Sequence, residues 1–284
     1  MSDQLLTSDA SHDSHPSQDS LTTGARVSAW SQDLGVCRAL TVRGMMRMRR
    51  IPALIIPAIV MPMFFVIAFS GSFSALANVE GFPTRHVINW MVPYAILQGA
   101  SFAGMGAAGG TATDIEGGFF DRLLLAPCRR PVLMIGPLGY SALRSLIPTT
   151  LVLLLALAMG ADLPGGALGL LCLYVAAVGV ALLFGTLGLA FVYKFRSLKS
   201  LSMVQIFIFG FMFLSIGQVP LALQSGWLQH AARINPMTNI LRLSRQGFLG
   251  HVTWHGTWPG LVAIAGLVLG FGAVAYRNLR RIVP

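Results

Sequence analysis

Charged side chains are scarce in this sequence. Only 11% of its 284 residues are Asp, Glu, Lys or Arg, whereas about 25% is usual in soluble domains. Hydrophobic residues make up 55%, and the mean hydropathy is +0.69. This composition excludes a water-soluble globular protein and is typical of an integral membrane protein.

The chemistry that most membrane enzymes and ion-coupled carriers need is also missing. Neither lysine, Lys194 or Lys199, follows a glycine, so there is no Gly-Lys-Ser/Thr loop to bind the phosphates of ATP. Every acidic residue lies in a predicted loop, in the tail or at the end of a predicted span, which argues against a carrier built on a buried carboxylate. His251 and His255 have the spacing of zinc ligands, but HVTWH lacks the glutamate of the hydrolase motif. We therefore expect no metal site and no catalytic residues.

Cysteine is rare, with three residues in the chain. Cys37 and Cys128 lie in segments predicted to be cytoplasmic, and Cys172 lies in a predicted span. No cysteine is then available for an external disulfide. We interpret all three as small apolar residues.

Long runs without charge predict an all-α membrane protein with six spanning helices. The third run is short, so Arg144 is expected at the cytoplasmic end of its helix with its side chain reaching the headgroups. In the first span, Pro57 and Pro62 are expected to bend the helix. Residues 1–27 are rich in Ser and Asp and predict a disordered cytoplasmic tail, which leaves 28–284 as one transmembrane domain. The predicted spans are roughly 52–72, 87–111, 143–161, 166–192, 201–220 and 257–276.

The net charge of +10 is explained by topology rather than by nucleic-acid binding. With both termini in the cytoplasm, 16 of the 20 basic residues fall on the cytoplasmic side, as the positive-inside rule requires. We therefore expect no nucleic-acid partner. The four basic residues on the external side are Arg85, Arg233, Arg242 and Arg245.

Residues 28–50 precede the first span and have helical periodicity. At 100° per residue an apolar stripe lies opposite a cluster of arginines, which predicts a basic helix in the cytoplasmic membrane interface. The alternative is an ordinary positive flank that only sets topology. The stripe comprises Trp30, Leu34, Cys37, Thr41, Met45 and Met48, with Val36 and Leu40 on the other side, and the basic cluster comprises Arg43, Arg47 and Arg50.

The external segment between the fifth and sixth predicted spans also contains a helix signal. Asn235 followed by Pro236 is typical of a helix start, and Gly250 is typical of a stop. Apolar residues between them recur at helical spacing, with Arg242 and Arg245 beside them. We expect a short amphipathic helix packed on the external face or dipping into it.

Negative charge is concentrated in one stretch, GGTATDIEGGFFDRLLLAPCRR at 109–130. It holds Asp114, Glu116 and Asp121, three of only ten acidic residues. Gly117 and Gly118 allow a turn, and the residues after them predict a short helix with an apolar face and charged flanks. Acids are not needed here for topology, so we interpret the stretch as a surface for a partner protein. The alternative is an interfacial loop whose acids pair with nearby arginines.

Two blocks of residues resemble one family. The pattern D-x-E-x-G-x-x-D-R-L-x-x-x-P-x-x-R is similar to the cytoplasmic loop of type-2 ABC transporter permeases, in particular the daunorubicin-resistance-like exporters. A second block, 213–250, resembles the family's run through the external loop, and the likeness extends over about 28–281. The first block comprises Asp114, Glu116, Gly118, Asp121, Arg122, Leu123, Pro127 and Arg130; the second includes Ser215, Pro220, Trp227, Leu228, Asn235, Pro236, Thr238 and Gly250.

The resemblance implies a permease subunit of an exporter rather than an enzyme. The chain would carry a hydrophobic or amphipathic compound, such as a drug, lipid or glycolipid, across a bacterial cytoplasmic membrane. ATP and Mg would bind to a separate ABC ATPase present in two copies, and a second permease chain, identical or homologous, would complete the assembly. Residues 28–50 would be the elbow helix, and 114–125 would contain the coupling helix that contacts the ATPase. The alternative is a secondary carrier or channel that does not use ATP.

Overall fold

The computed structural model describes residues 29–73, 79, 82–84, 86–125 and 128–282. The predicted tail 1–27 and Pro127 lie outside these residues. The described part of the chain contains ten α-helices and no strand, which confirms an all-α protein. The helices are α1 (Ala29–Arg50), α2 (Ile56–Ser72), α3 (Val87–Glu116), α4 (Phe119–Leu124), α5 (Val132–Ala158), α6 (Gly166–Phe195), α7 (Ser200–Phe213), α8 (Gly226–Ile234), α9 (Pro236–Leu249) and α10 (Trp254–Ile282).

A bundle of α2, α3, α5, α6, α7 and α10 forms the body of the molecule, and successive helices of the bundle alternate in direction. Helix α3 lies at its centre and packs against α2, α5 and α6. Gly104 of α3 has no room for a Cβ atom because the backbone of Ala181 on α6 lies against it, a close approach that small residues permit. The outer face is apolar, with Val262 and Leu269 of α10 and Ile206 of α7 exposed. Such a surface is suited to lipid rather than water.

The helices differ in their capacity to cross a bilayer. Three of them, α5, α6 and α10, are long and apolar enough to span one. Helix α3 has 30 residues and is therefore about 45 Å long. Helices α2 and α7 have 17 and 14 residues, or about 26 and 21 Å, against about 30 Å of hydrocarbon. The structure thus fits a multi-pass membrane protein, and the count of six crossings stays a prediction.

Two predicted span boundaries are wrong. Helix α5 begins at Val132 rather than near residue 143, because Arg144 interrupts the charge-free run but is accommodated inside the helix. Helix α7 ends at Phe213 rather than near residue 220, and the residues that follow are turns. A charge-free run records only the absence of ionised side chains, so it marks helix ends poorly.

The first span contains one internal proline rather than two. Pro57 is in the first turn of α2, where its missing N–H has no helical acceptor to lose. Pro52 begins a separate short 3₁₀ turn, Pro52–Leu54. Only Pro62 lies inside α2 and removes a hydrogen bond there.

The helix start predicted at Asn235 and Pro236 is confirmed. The Asn235 side-chain oxygen accepts a hydrogen bond from the Met237 N–H at 2.9 Å, and its amide nitrogen donates to the Phe211 carbonyl at 2.7 Å. Helix α9 ends at Gly250, whose φ of 80° favours glycine. Ten of its fourteen residues are buried, however, and it packs between α6 and α10. It is therefore part of the core and not a surface helix.

Arg245 of α9 is buried inside this end of the bundle. Its guanidinium donates to the carbonyls of Ile216 at 2.7 Å, Trp90 at 3.2 Å and Gly217, and lies 3.6 Å from the centroid of the Trp90 ring. Only 1% of the side chain is exposed. Arg245 is part of the predicted helix, but it is buried rather than beside the apolar residues on the external face, since carbonyls and an aromatic face satisfy its charge inside the protein.

Helices α6 and α9 meet through their backbones. The Gly165 N–H donates to the Gly247 carbonyl at 2.8 Å. A Cβ atom at Gly165 or Gly169 would collide with the Gly247 backbone. This contact and Arg245 lie at the same end of the bundle, where α3, α6 and α10 begin and α7 ends.

Candidate functional site

The acidic stretch lies at the opposite end of the bundle, where α3 ends. Helix α3 runs to Glu116, the chain turns at Gly117 and Gly118, and α4 follows. Gly118 has a φ of 69°, a left-handed conformation that glycine adopts without strain. The predicted turn and short helix are present, and their contact with an ATPase stays a prediction.

Helix α4 is buried on one side and exposed on the other. The Phe120 ring packs against Tyr193 of α6 with centroids 5.8 Å apart, and Leu123 packs against the same cluster. Asp121 and Arg122 are exposed, and Phe119 is 37% exposed. The helix is therefore anchored to the bundle and presents an apolar and charged face outward.

Asp114 forms an ion pair with Arg43 of α1. The two side chains make two hydrogen bonds, of 2.6 and 2.7 Å, with the fork of the guanidinium facing both carboxylate oxygens. The Arg43 guanidinium also lies 3.9 Å from the centroid of the Phe119 ring. One arginine thus joins α1 to the end of α3 and the start of α4.

Glu116 connects the same stretch to the loop between α6 and α7. Its carboxylate accepts from the Leu198 N–H at 2.7 Å and from the Ser197 hydroxyl at 3.2 Å. Asp114 therefore follows the alternative in which an acid pairs with an arginine, whereas Glu116 binds a neighbouring loop. Asp121 remains exposed on the outward face of α4.

Helix α1 packs along α5, but its predicted apolar stripe is only partly right. Leu40, assigned to the other side, packs against Gly136, and the Thr41 hydroxyl donates to the Gly136 carbonyl at 2.9 Å. Leu34 is 68% exposed, because the inner face is set by contact with α5 rather than by hydrophobicity alone. The Trp30 side chain lies outside the described residues. That α1 lies in a membrane interface stays a prediction.

The arginines of α1 do not form one solvent-facing cluster. Arg43 and Arg47 line a cavity, with Arg47 3.5 Å from the Gly110 carbonyl, whereas Arg50 is exposed. Near the other end of α1, Asp33 accepts from the Arg129 N–H at 3.1 Å and lies 3.5 Å from the Arg129 Nε. Arg130, the last residue of the motif, is partly buried at the start of α5.

Cys37 and Cys128 lie close to Asp33. Burial raises the pKa of both thiols, and the negative charge of Asp33 raises it further. A thiol with a raised pKa stays protonated at neutral pH and is a poor nucleophile. Both residues therefore behave as small packing groups in this region.

The cavity lies between α1, α2, α3, α5 and α7 and measures about 490 Å³. Arg144 reaches it from the middle of α5 and is only 6% exposed, so the expectation of a side chain extended to the headgroups is wrong. Gly106 of α3 leaves the space that the guanidinium occupies, and the Tyr140 ring centroid lies 5.9 Å from it. Ordinary ligand pockets are about 300–1,000 Å³, so the cavity has the size of a small-molecule site.

The second sequence block lies at the end of the bundle opposite this cavity, and its motif residues Asn235, Pro236 and Thr238 stabilise the local fold there. Asn235 and Pro236 begin α9, and the Thr238 hydroxyl donates to the Ala232 carbonyl at 2.6 Å. Trp227 is 73% exposed on α8. The structure thus separates the two sequence blocks and brings the first block together with α1 and the cavity.

Comparison with known proteins agrees with this arrangement. Residues 35–249, most of the chain, match the family described as ABC-2 type transporter. The chain belongs to the ABC-2 type transporter family. The match begins in α1 and ends with α9, so it includes the first sequence block and all of the second except Gly250.

Two curated transport permeases are similar to this chain over most of their lengths. The daunorubicin resistance ABC transporter permease protein DrrB1 of Streptomyces coeruleorubidus is 27% identical over 243 residues, covering 84% of this chain and 83% of that protein. The putative transport permease ycf38 of Pyropia yezoensis is 26% identical over 223 residues, covering 78% and 76%. The resemblance found in the sequence is confirmed. The relatives are membrane transport components rather than enzymes, and ABC-2 permeases work with ABC ATPase subunits.

The sequence did not predict the burial of two arginine side chains. Arg144 and Arg245 were placed at a headgroup and on an external loop, and both are buried. Gly106 is a signal for the burial of Arg144, because it leaves space for the guanidinium. A glycine in an apolar run also permits close packing of helices, so this signal is not specific. Arg245 had no signal, since its carbonyl partners are distant in sequence.

Proposed function

We propose that this ABC-2 chain is the transmembrane permease subunit of an ATP-driven exporter of hydrophobic or amphipathic compounds. It crosses the bacterial cytoplasmic membrane six times with both termini in the cytoplasm. A separate ABC ATPase, in two copies, binds ATP and Mg and contacts α4. A second permease chain, identical or homologous, completes the transport path.

The position of α4 is the observation that carries this proposal. Its outward face offers Phe119, Asp121 and Arg122, while its inner face is anchored by Phe120. The end of α3, which leads into α4, is joined to α1 through Arg43 and to the loop before α7 through Glu116. A push on α4 is therefore transmitted to α1, α3 and α7 together, which is the coupled motion that alternating access requires.

The cavity supports a transport path on the side where the ATPase binds. It is bounded by three of the elements joined to α4, namely α1, α3 and α7. Movement of α4 thus changes the shape of the cavity walls. The relative named for daunorubicin resistance is consistent with export of a bulky amphipathic compound, without fixing the compound carried by this chain.

A second permease chain is supported by the exposed apolar face of α7. Helix α7 has 14 residues and exposes Ile206, Phe207 and Met203. A helix about 21 Å long is shorter than the hydrocarbon is thick, and association with another chain is one way in which membrane proteins accommodate such a mismatch. A symmetric partner would place two such helices side by side.

The test uses the charge on the outward face of α4. We expect Asp121→Lys to lower permease-stimulated ATP hydrolysis and co-purification of the ATPase by about tenfold or more, the loss expected for one reversed interfacial charge. Asp162→Lys is the matched control, because Asp162 is an exposed acid at the opposite end of the bundle. The measurement is ATPase activity of the reconstituted complex.

Two results contradict the proposal. The first is a double variant, Asp121→Lys with Phe119→Ala, that still binds the ATPase and still stimulates ATP hydrolysis; α4 would then not be the contact. Accumulation of a labelled amphiphile against its gradient by the chain alone in liposomes would favour the secondary carrier.

A further inference from the structure

The cavity has an uneven distribution of charge. Arg43, Arg47 and Arg144 line it, and Asp114 is the one acidic side chain among the described lining residues. Asp114 is held by Arg43 through two hydrogen bonds. The formal charge of the lining is therefore +2, contributed by Arg47 and Arg144 beyond the ion pair.

Part of the cavity lining is apolar. It is formed by Phe102 and Met105 of α3 and Leu201 of α7. Gly109 and Gly110 also line the cavity, and a Cβ atom at Gly110 would meet no atom within 4 Å. The cavity thus combines two basic groups with a surface suited to a hydrocarbon chain.

The burial of Arg144 indicates that this charge has a role beyond topology. The residue lies in the middle of an apolar helix of 27 residues, and it is 6% exposed. A guanidinium in such a position is costly, and ionisable groups inside membrane segments commonly mark substrate or ion pathways. Gly106 provides the space for it, so α3 and α5 are shaped around the arginine.

We propose that the cavity binds an anionic amphiphile, with a phosphate or carboxylate head between Arg47 and Arg144 and an apolar chain against Phe102, Met105 and Leu201. The inference rests on the proposed function and names the chemical class of its substrate. Arginine suits both head groups because its planar fork donates two parallel hydrogen bonds. A cationic amphiphile of the same length meets a lining of its own sign and is disfavoured.

The experiment measures equilibrium binding of radiolabelled dodecyl phosphate to the purified full-length chain in a neutral maltoside detergent. Unlabelled dodecyl phosphate, inorganic phosphate and dodecyltrimethylammonium are the competitors. We expect competition by dodecyl phosphate, at least about tenfold weaker competition by free phosphate, and none by the cation, because both the head and the chain contribute.

Variants separate the head site from the apolar wall. Arg47→Gln is expected to weaken binding about tenfold, as for loss of one charge-assisted contact, and Arg144→Gln by at least as much. Arg49→Gln is the matched control, since Arg49 is an exposed neighbour on α1 that does not line the cavity. A Cβ atom at Gly110 meets no atom within 4 Å, so Gly110→Leu directs a bulky side chain into the cavity and is expected to abolish binding. Gly270 on α10 also has room for a Cβ atom but does not line the cavity, so Gly270→Leu is expected to leave binding unchanged.

The outcomes distinguish this inference from the proposed function. Equal competition by the cation, or unchanged binding in both Arg47→Gln and Gly110→Leu, overturns the anionic assignment even if the ATPase complex forms and is stimulated. Equal competition by free phosphate overturns the amphiphile and leaves a simple anion site. Selective binding by a chain that recruits no ATPase supports this inference and contradicts the exporter. Should Arg144→Gln not fold, Arg47→Gln and Gly110→Leu decide the result.

Discussion

The two ends of the helix bundle are joined by different kinds of contact. At the end with α9, Arg245 and the glycine contact between α6 and α9 are buried. At the end with α4, Phe120 packs on Tyr193, but the polar contacts, namely the Arg43–Asp114 pair and the hydrogen bonds of Glu116, are partly exposed and border a cavity. Water can replace a partner at the second end but not at the first.

This difference indicates which end of the molecule opens more easily. A buried group that loses its partner bears the full desolvation penalty, whereas exposed ion pairs contribute only about 0–1 kcal/mol. The polar contacts at the α4 end therefore separate at a lower free energy than those at the α9 end. This difference fits the proposed contact of an ABC ATPase with α4, because force applied there would act on the end whose polar contacts part more easily.

Replacing Arg245 should have the largest effect. Arg245→Leu leaves the carbonyls of Trp90, Ile216 and Gly217 without their donor, and we expect a loss of about 3–5 kcal/mol in stability. The measurement is thermal or denaturant unfolding of the purified chain in detergent.

Arg242→Leu is the control for that prediction. Arg242 lies one turn earlier on α9 and is exposed, so its replacement is expected to change stability by less than about 0.5 kcal/mol. Equal losses in the two variants would show that the buried carbonyl contacts do not hold this end together.

The two ends also differ in how far their structure was predictable. The start of α9 was correctly predicted, because Asn235 caps it locally and Pro236 has the φ that a first turn requires. The turn at Gly117 and Gly118 was predicted for the same reason, since the conformational freedom of glycine is a property of the residue. Local chemistry of this kind is visible in a single sequence.

Contacts between distant segments were not predictable in this way. The helical pattern places Arg43 in a basic cluster opposite the apolar stripe of α1, yet it bonds to Asp114, 71 residues later. Arg144 broke a charge-free run and was read as a helix end, although α3 makes room for it at Gly106. Each case depends on which helices are neighbours, and hydropathy does not specify that.

The glycine contact between α6 and α9 should show an intermediate effect. Gly169→Ala and Gly247→Ala each place a methyl group against the facing backbone, and we expect losses of about 1–3 kcal/mol. Unfolding is measured as for Arg245.

Gly266→Ala on α10 is the matched control, because a Cβ atom there meets nothing within 4 Å. Its stability is expected to be unchanged or slightly higher, since alanine is the better helix former. If all three alanine variants behaved alike, the α9 end would not owe its rigidity to backbone contact. The spacing of Gly165 and Gly169 recurs at Gly266 and Gly270, so the pattern alone does not locate the contact.

The Arg43–Asp114 pair should show the smallest effect on stability and the clearest effect on coupling. The side chains are 41% and 17% exposed, so solvent screens part of their attraction. A cycle of Arg43→Asp, Asp114→Arg and the exchanged double variant is expected to give a coupling free energy of about 1 kcal/mol, the upper end for a partly exposed pair. Each single variant should also lower permease-stimulated ATP hydrolysis, and the double variant should recover part of it, because the ion pair connects α1 to the segment before α4.

Arg49→Asp, on the exposed side of the same helix, controls for charge reversal alone. Single variants that lose stability while stimulation stays intact would mean that the pair only packs α1 against α3, and that force from α4 reaches the cavity through Glu116 and α7 instead.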